Sequence, residues 1–280
     1  MLKTRIVTAA VLIPLTLASL FLLSPRAWGG VTLAVVAVAA TEWANLAAYS
    51  RPVGLLFAAA TIAVGGALLF APGGFRPDGG WPEAIPLFVC GAATLFWLIV
   101  APAWLAAGWR VESKPVLALV GALVLIAAWV ALVQIQARSP RLLLALMAVV
   151  WIADTAAYFA GRAFGKRRLA PSISPGKTWE GVYGALAATA VYALALFGLA
   201  PEVGATRAGS LAAALGWVAL LLGLTCVSIV GDLFESQLKR QRGVKDSGRI
   251  LPGHGGVLDR VDALLAAMPA AALIVEYAIR

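Results

Sequence analysis

The sequence predicts an all-α polytopic integral membrane protein with about nine transmembrane helices, a cytoplasmic N-terminus and a C-terminus outside. Hydrophobic residues occupy 62% of the 280 positions and charged residues only 12%, which excludes most classes of water-soluble protein. The mean hydropathy is +0.92, and the apolar residues occur in runs long enough to cross a hydrocarbon core. The runs lack the alternation typical of strands, so we expect helices, which satisfy their own backbone groups in lipid.

Run lengths and breaker positions predict nine spans. They are Ile6–Leu23, Val31–Tyr49, Val53–Ala71, Ile85–Ala106, Pro115–Gln134, Arg141–Ala163, Thr178–Ala200, Ala208–Gly231 and Asp262–Ile279. Pro102 lies inside the fourth span and is expected to kink it or to end it early. Lys3 and Arg5 precede the first span as in a signal peptide, but no clear small-residue cleavage site follows. We therefore expect the first helix to be retained.

Lys and Arg are unevenly divided between the segments that connect the spans. With a cytoplasmic N-terminus, 16 of the 22 basic residues lie in inner segments. The outer segments hold the other six, namely Arg26, Arg76, Arg138, Arg141, Arg207 and Arg280. This division follows the positive-inside rule. Most of the net charge of +9 lies in two predicted cytoplasmic loops, 162–177 and 233–261, where lipid head groups or phosphates are expected rather than nucleic acid.

Three carboxylates lie inside predicted spans, where each costs at least about 2.5 kcal/mol, so all three are functional candidates. Glu276 is near the predicted outer end of the last helix and can reach water there. Glu42 is in the cytoplasmic half of the second span, and its simplest interpretation is a hydrogen-bond anchor between helices. Asp154 is the deepest, about 12 Å from the cytoplasmic end at 1.5 Å per residue. A water-filled cavity that opens inward would explain its position.

Acidic residues flank the segment that joins the last two spans. Asp232 lies at the cytoplasmic mouth of the eighth span, and Glu235 and Ser236 share its face if the helix continues. Asp259 and Asp262 are three residues apart at the mouth of the ninth span and also share a face. Two helix ends therefore offer carboxylates to one cytoplasmic pocket. Oxygen ligands of this kind suit Mg²⁺, and a bound cation would relieve the repulsion between the acids.

Basic residues and glycines accompany these acids. The basic residues are Lys239, Arg240, Arg242, Lys245 and Arg249. Acids for metal and bases for phosphate oxygens recur in phosphoryl-transfer sites. Gly253, Gly255 and Gly256 surround the single histidine, His254, and could let backbone N–H groups approach a phosphate as in an anion-binding nest. The alternative is a solvated loop between two helices.

The other polar loop contains Ser174, Lys177 and Thr178. Its Gly-Lys-Thr triplet is similar to the end of a P-loop, but Pro171 stands where that pattern needs glycine. The flanks are also membrane helices, so a P-loop NTPase is excluded. A lysine and hydroxyls near the start of a helix can still bind phosphate, because free N–H groups and the helix dipole favour anions there.

Together these motifs resemble a known family, the CTP:phosphatidate cytidylyltransferases (CDP-diacylglycerol synthases). The signature appears as Ser236, Lys239-Arg240, Lys245-Asp246, Pro252, His254-Gly255-Gly256 and Asp259-Arg260-Val261-Asp262. Three further segments look like family motifs, namely Asp154–Tyr158, Ser174–Gly181 and Gly231–Ser236. The specific match covers about the last 130 residues and shows no departure from the signature.

The resemblance implies a nucleotidyltransferase of phospholipid biosynthesis, which converts CTP and phosphatidate into CDP-diacylglycerol and pyrophosphate. It also implies Mg²⁺ as the cofactor, and a second cation could bind as well. The lipid phosphate would attack the α-phosphorus of CTP. A phosphate monoester is already anionic at neutral pH, so no general base is required, and His254 is better suited to phosphate binding or loop geometry. The expected location is a bacterial cell (inner) membrane, with the active site facing the cytoplasm and membrane lipids around it.

The resemblance and the local chemistry together assign roles to individual residues. The predicted metal ligands are Asp232, Asp259 and Asp262, with Asp154 as a further candidate. The same three aspartates are predicted to be catalytic together with Lys239, Lys245 and Asp246. The predicted substrate-binding residues are Ser174, Lys177, Thr178, Ser236, Arg240, His254, Gly255, Gly256 and Arg260.

We expect one membrane-embedded domain, 1–280, in which residues 1–140 form a scaffold and residues 141–280 supply the catalytic helices and loops. The scaffold helices could make lipid contacts or the contacts of a homodimer. An alternative function is a membrane transporter or binding protein for an anionic phosphorylated substrate. The concentration of polar residues at one face, rather than at mid-bilayer, favours an enzyme. An alcohol phosphotransferase is disfavoured because its Asp-x-x-Asp-Gly-x-x-Ala-Arg pattern is missing from the sequence.

Overall fold

The computed structural model describes residues 2–76, 79–199 and 210–277. Over these residues the chain forms ten α-helices, one π-helical segment and one β-hairpin. The helices are α1 (Leu2–Leu22), α2 (Pro25–Leu46), α3 (Arg51–Phe70), α4 (Ala84–Leu95), α5 (Ala101–Ala107), α6 (Lys114–Arg138), α7 (Pro140–Phe164), α8 (Trp179–Leu199), α9 (Leu211–Gln241) and α10 (Leu258–Tyr277). The strands are β1 (Arg168–Ala170) and β2 (Ser174–Thr178).

Each of the nine predicted spans coincides with a helical segment, and the helical membrane class is confirmed. Among the described residues, seven segments are long and apolar enough to cross a membrane: α2, α3, α4 with α5, α6, α7, α8 and α9. Helix α1 contributes a shorter apolar stretch, Ile6–Leu22, and α10 carries three charged residues in its first turns. The number of spans and the orientation of the termini stay predictions. The predicted boundaries Ala200, Ala208 and Ile279 lie outside the described residues.

The fourth span passes Pro102 without the early end that the sequence allows. A π-helical segment, Phe96–Val100, directly precedes α5, which contains the proline. A wider π turn accommodates a residue that cannot donate a backbone N–H, so the chain stays helical to Ala107. There Gly108 adopts a left-handed conformation, φ +62°, and ends the helix.

The predicted cytoplasmic loop 233–261 is shorter than the sequence suggests, because helices occupy both of its ends. Helix α9 runs to Gln241 rather than ending at Gly231, and α10 begins at Leu258. The extension is stabilised by protein contacts and not by lipid. Phe234 is 1% exposed, and its ring packs edge-on against Phe96, Trp97 and Trp104 of the α4–α5 segment. Only residues 242–257 are left as the connecting loop, called the 242–257 loop below.

The other predicted loop, 162–177, is a helix end followed by a β-hairpin. Helix α7 continues to Phe164, and β1 pairs antiparallel with β2, with Arg168 opposite Thr178. The hairpin leads directly into α8, which therefore begins at Trp179 instead of Thr178. The Glu180 carboxylate accepts hydrogen bonds from the backbone N–H groups of Lys166 and Arg167, and these bonds attach the base of the hairpin to α8. The strands lie outside the apolar segments, so the helical class is unaffected.

Helix α10 occupies the centre of the bundle, in contact with α4, α6, α7 and α9. Its middle residues Ala266, Ala267 and Met268 are fully buried. Large apolar side chains instead cover the outside of the bundle, as with Leu56, which is 69% exposed, and Leu119, which is 71% exposed. An apolar exterior of this kind suits lipid. The central position of α10 places its first turn between the helices that build the site.

Candidate active site

A cavity of about 730 Å³ is lined by α7, the hairpin, α8, α9 and α10. It brings together residues that lie up to 108 positions apart in the sequence, from Asp154 to Asp262. The predicted site residues that line it are Asp154, Lys177, Thr178, Asp232, Lys239, Asp246, Asp259, Arg260 and Asp262. The carboxylates of the two helix ends predicted to share a pocket lie in this cavity together with Asp154 and Lys177, and the roles of these residues stay predictions.

A second cavity, of about 590 Å³, is built entirely from the 242–257 loop and the start of α10. It adjoins the first cavity, because Asp246 and Arg260 line both. The predicted residues Lys245, His254 and Gly255 line this second cavity and not the first. The structure thus divides the predicted site into two neighbouring compartments with a shared wall.

Small residues allow the helices to approach closely enough to form the first cavity. A Cβ at Gly231 on α9 would lie 2.6 Å from the Ala266 Cβ and 2.7 Å from the Asp262 carbonyl oxygen on α10. Gly184 on α8 similarly faces Ala160 on α7, where a Cβ would overlap the alanine methyl group. Close backbone approach at small residues is a common device for packing helices in membranes. At Gly231 it places the following residue, Asp232, beside the first turns of α10.

Three helices contribute aspartates to the first cavity: Asp154 comes from α7, Asp232 from α9, and Asp259 and Asp262 from α10. Asp232 forms a salt bridge with Lys177 of the hairpin, with 2.5 Å between Oδ2 and Nζ, and accepts a 3.4 Å hydrogen bond from the Ser236 hydroxyl. The Asp262 Oδ1 atom accepts a 2.8 Å hydrogen bond from the Ala263 N–H. The cavity therefore offers hard oxygen donors and a lysine that already pairs with one of them.

The Asp259 carboxylate has both oxygens occupied by donors of the protein. Oδ1 accepts from Lys239 Nζ at 2.7 Å, and Oδ2 accepts from the backbone N–H groups of Ser247 and Gly256 at 2.9 and 2.8 Å. Burial raises the pKa of the Asp259 carboxyl, but the hydrogen bonds and the lysine charge outweigh burial and lower this pKa below its ordinary value. Asp259 is thus ionised and fixed, which favours a positioning role over an open metal ligand.

Lys239 lines the first cavity, but its ammonium group is already held by two carboxylates. Its Nζ lies 3.1 Å from Glu235 Oε2 and 2.7 Å from Asp259 Oδ1. The three side chains are only 11%, 6% and 4% exposed, in the order Lys239, Glu235, Asp259. The sequence predicts Lys239 as a catalytic, phosphate-holding residue, and the structure instead favours an internal counter-ion that joins α9 to α10.

The glycine-rich part of the 242–257 loop does not form the predicted phosphate nest. The N–H groups of His254 and Gly255 both donate to the Leu251 carbonyl oxygen, and the N–H of Gly256 donates to Asp259. A nest needs such N–H groups to point toward the anion. The N–H groups of Gly255 and Gly256 stabilise the loop itself here, and their predicted role in phosphate binding stays a prediction.

Four other predicted substrate-binding residues make contacts within the protein. Arg240 donates through Nε to the Ile173 carbonyl oxygen, and the Ser236 hydroxyl donates to Asp232. Ser174 pairs with Ala170 in the hairpin. Thr178 lines the first cavity, but its hydroxyl accepts the N–H of Gly181 and so caps the start of α8. Each of the four therefore has at least one contact within the protein that helps to shape the site.

The structure also places residues in the first cavity that the predicted set omits. Arg162 at the end of α7 and Arg168 of β1 both line it, as does Tyr158. Arg168 is oriented by a 2.7 Å hydrogen bond to the Pro175 carbonyl oxygen across the hairpin. In the sequence, a run of basic residues precedes the Ser-Pro-Gly-Lys-Thr motif. This run indicates that the loop binds phosphates, but it does not show which of its arginines face the cavity.

The donor set of the first cavity fits Mg²⁺ as this ion is usually bound in proteins, by one or two carboxylates with phosphate oxygens and water. Among the described residues, no three His, Cys, Asp or Glu side chains stand close enough together to hold a metal ion by themselves. A magnesium site here would therefore draw on substrate oxygens in addition to one or two of the carboxylates of Asp154, Asp232 and Asp262.

Comparisons with known proteins agree with the geometry. The model of the family described as "Cytidylyltransferase family" matches residues 3–278. The phosphatidate cytidylyltransferase of Pseudomonas aeruginosa is 43% identical over 279 residues, which cover 96% of this chain and 95% of the relative. That of Haemophilus influenzae is 36% identical over 285 residues, 96% of each chain. That of Brucella suis is 52% identical over 124 residues, 44% of this chain and 42% of the relative. Since the family model and two of these relatives cover nearly the whole sequence, the chain belongs to the cytidylyltransferase family.

Proposed function

We propose that this chain transfers a cytidylyl group from CTP to phosphatidate, and that CDP-diacylglycerol and pyrophosphate are the products. The observation that carries the proposal is the first cavity, in which five acidic and five basic side chains meet at the ends of apolar helices. Acids for metal and bases for phosphate are the parts that transfer between phosphorylated substrates requires. The names of the full-length relatives supply the two substrates.

The position of the cavity suits a lipid substrate with its tails in the bilayer. The outer faces of α7 and α8 beside it are apolar, with Phe159 62% exposed and Val191 68% exposed. A lipid phosphate could therefore enter the cavity while the acyl chains stay in hydrocarbon. The distribution of basic residues and the bacterial relatives support a place in a bacterial inner membrane, with the cavity toward the cytoplasm.

In the proposed reaction, an oxygen of the lipid phosphate attacks the α-phosphorus of CTP, and a new P–O bond forms. The bond between that phosphorus and the oxygen bridging to the β-phosphorus breaks, so pyrophosphate leaves with the electron pair. The attacking monoester is already anionic, so the residues need not remove a proton. Arg162, Arg168, Lys177 and Arg260 line the cavity and would hold the two phosphate-bearing substrates against their mutual repulsion.

Mg²⁺ would be held by one or two of the carboxylates of Asp154, Asp232 and Asp262 together with substrate oxygens. When bound, it would neutralise charge on the approaching phosphates and help to orient them. Asp259, the other predicted ligand, would act mainly by fixing the 242–257 loop, because its oxygens already accept from Lys239, Ser247 and Gly256.

The proposed activity can be tested with purified protein in detergent–lipid micelles supplied with labelled CTP, phosphatidate and Mg²⁺. We expect nucleotide-lipid and pyrophosphate to appear in equal amounts, and only when phosphatidate and a divalent cation are both present. A chelator should stop the reaction, and re-added Mg²⁺ should restore it. Binding of CTP or phosphatidate without turnover, by protein shown to be folded, would contradict the proposal and favour a transporter or binding protein.

Gly231→Ala is expected to reduce the rate of cytidylyl transfer at least about 10-fold, because the new methyl group would push α9 away from α10 beside Asp232 and Asp262. The nearest obstacles include the Asp262 carbonyl oxygen, a backbone atom that cannot move aside alone. The measurement is the initial rate per folded molecule, with the unfolding temperature in detergent recorded alongside.

Gly223→Ala is the matched control on the same helix, because a Cβ there meets no atom within 4 Å. Alanine is the better helix former by about 1 kcal/mol, so this variant should be as active and at least as stable as the wild type. Equal rates for the two alanine variants would show that close approach of α9 and α10 is not required.

A further inference from the structure

Glu42 is buried in α2 with 2% of its surface exposed, and all of its hydrogen bonds reach the far end of the chain. Oε1 accepts from the Val257 N–H at 3.0 Å, and Oε2 accepts from the Leu258 N–H at 2.8 Å. The Ser247 hydroxyl is 3.2 Å from Oε2. These partners belong to the 242–257 loop and to the first residue of α10, where the helix dipole favours a negative charge. The predicted role of Glu42 as a hydrogen-bond anchor between helices agrees with its bond to the start of α10, and the structure adds the 242–257 loop to what it anchors.

The carboxylate is also the centre around which the loop folds. A Cβ at Gly248 or at Gly256 would collide with the Glu42 side chain. Glycine at these two positions allows the loop to wrap closely around a carboxylate that belongs to a helix more than 200 residues earlier in the sequence. A loop of this shape depends on Glu42, because that side chain fills the space which the glycines leave.

Hydrogen bonds continue from Glu42 to the first cavity. The Ser247 hydroxyl lies 3.1 Å from Asp259 Oδ2 as well as 3.2 Å from Glu42 Oε2, and its one proton can serve either oxygen. Asp259 in turn accepts from Lys239, which also pairs with Glu235. The network runs from α2 through the loop and α10 to α9. Glu42 itself lines neither cavity.

We propose that Glu42 is a positioning residue for cytidylyl transfer, holding the 242–257 loop and the first turn of α10 in the geometry that the reaction needs. The residues positioned in this way are Asp246 of the loop and Arg260 and Asp262 of α10, all of which line the first cavity. The proposal rests on the proposed function for its rate effects. Lys177, Arg162 and Arg168 line the same cavity from α7 and the hairpin, whereas the hydrogen bonds of Glu42 go to Ser247, Val257 and Leu258.

Glu42→Gln tests this role with a side chain of the same size. The amide has one acceptor oxygen in place of two and presents N–H donors to the backbone N–H groups of Val257 or Leu258. We expect kcat to fall at least about 10-fold, because misplacement of catalytic groups is costly, while KM for phosphatidate changes less than about threefold. Glu112→Gln, at an exposed carboxylate outside both cavities, is the control and should retain the wild-type kcat.

Hydrogen exchange followed by mass spectrometry provides a measurement that does not depend on activity. Peptides covering 242–258 should exchange faster in Glu42→Gln, and peptides from the buried part of α6 should not change. Ser247→Ala should lower kcat through the same network. The double variant should therefore be no slower than about the worse single variant, since the two changes break one chain of contacts.

Three results would overturn the proposal. The kcat of Glu42→Gln could stay within about twofold of the wild-type value, or hydrogen exchange could become faster equally in all helices. The rate losses of the two single variants could also multiply in the double variant. If the wild-type protein shows no cytidylyl transfer, the proposed function fails. The anchoring role is then decided by exchange alone: faster exchange confined to 242–258 supports it, and unchanged exchange there refutes it.

Discussion

Asp232→Asn is expected to reduce the rate of cytidylyl transfer at least about 100-fold while leaving the fold intact, a loss comparable to that of one preorganised charged group in an active site. Asp232 lines the first cavity from α9 and forms a 2.5 Å salt bridge with Lys177. Asparagine keeps the shape but loses the charge, so it both weakens an oxygen ligand for Mg²⁺ and leaves the lysine without its partner. The initial rate should be measured over a range of Mg²⁺ concentrations.

Stability should hardly change in this variant. The side chains of Lys177 and Asp232 are 25% and 31% exposed, and partly exposed ion pairs contribute only about 1 kcal/mol or less. Glu112→Gln again serves as the matched carboxylate-to-amide control, because Glu112 is exposed and lines neither cavity. An Asp232→Asn variant with near wild-type turnover would remove Asp232 from the catalytic machinery and transfer the proposed metal-binding role to Asp154 and Asp262.

The helices could be predicted from run length because lipid requires each span to be apolar over its whole length. The end of α9 could not be found in this way. Beyond Gly231 the helix leaves the apolar run, and it continues because Phe234 and Leu238 are buried against other helices. The β-hairpin cannot be predicted from sequence for a related reason. Strand β2 contains a proline and a glycine and has no strand-like pattern, so its pairing with β1 depends on tertiary structure.

The members of the site were easier to predict than their partners. Spacing and motif resemblance indicated that Asp154, Lys177, Asp232 and Asp262 belong to one pocket, where the structure places them. The pair Glu235 and Lys239 can be expected from i,i+4 spacing on a helix. The salt bridge between Lys239 and Asp259 cannot be predicted from local sequence, and neither can the hydrogen bonds from the 242–257 loop to Glu42. Both depend on how the helices of the bundle pack together.

Lys239→Met is expected to lower the free energy of unfolding by about 3–5 kcal/mol, because the buried Asp259 carboxylate loses its counter-ion and Glu235 loses its hydrogen-bond donor. Glu235 and Asp259 are 6% and 4% exposed at the side chain and share this one ammonium group. In detergent the unfolding temperature should fall by roughly 10 °C. Arg110→Met is the control, since Arg110 is exposed and lies in the short connection after α5.

The double variant Lys239→Met with Glu235→Gln separates an internal counter-ion from a phosphate ligand. Glutamine at position 235 cannot carry a charge and brings its own N–H donors, so part of the lost stability should return. The turnover number should stay low, since Asp259 would still lack the lysine that fixes it beside Ser247 and Gly256. A lysine that held substrate phosphate would behave differently: Lys239→Met would raise KM at unchanged unfolding temperature, and Glu235→Gln would restore nothing. That result would refute the structural role of Lys239 and support the phosphate-binding role predicted from sequence.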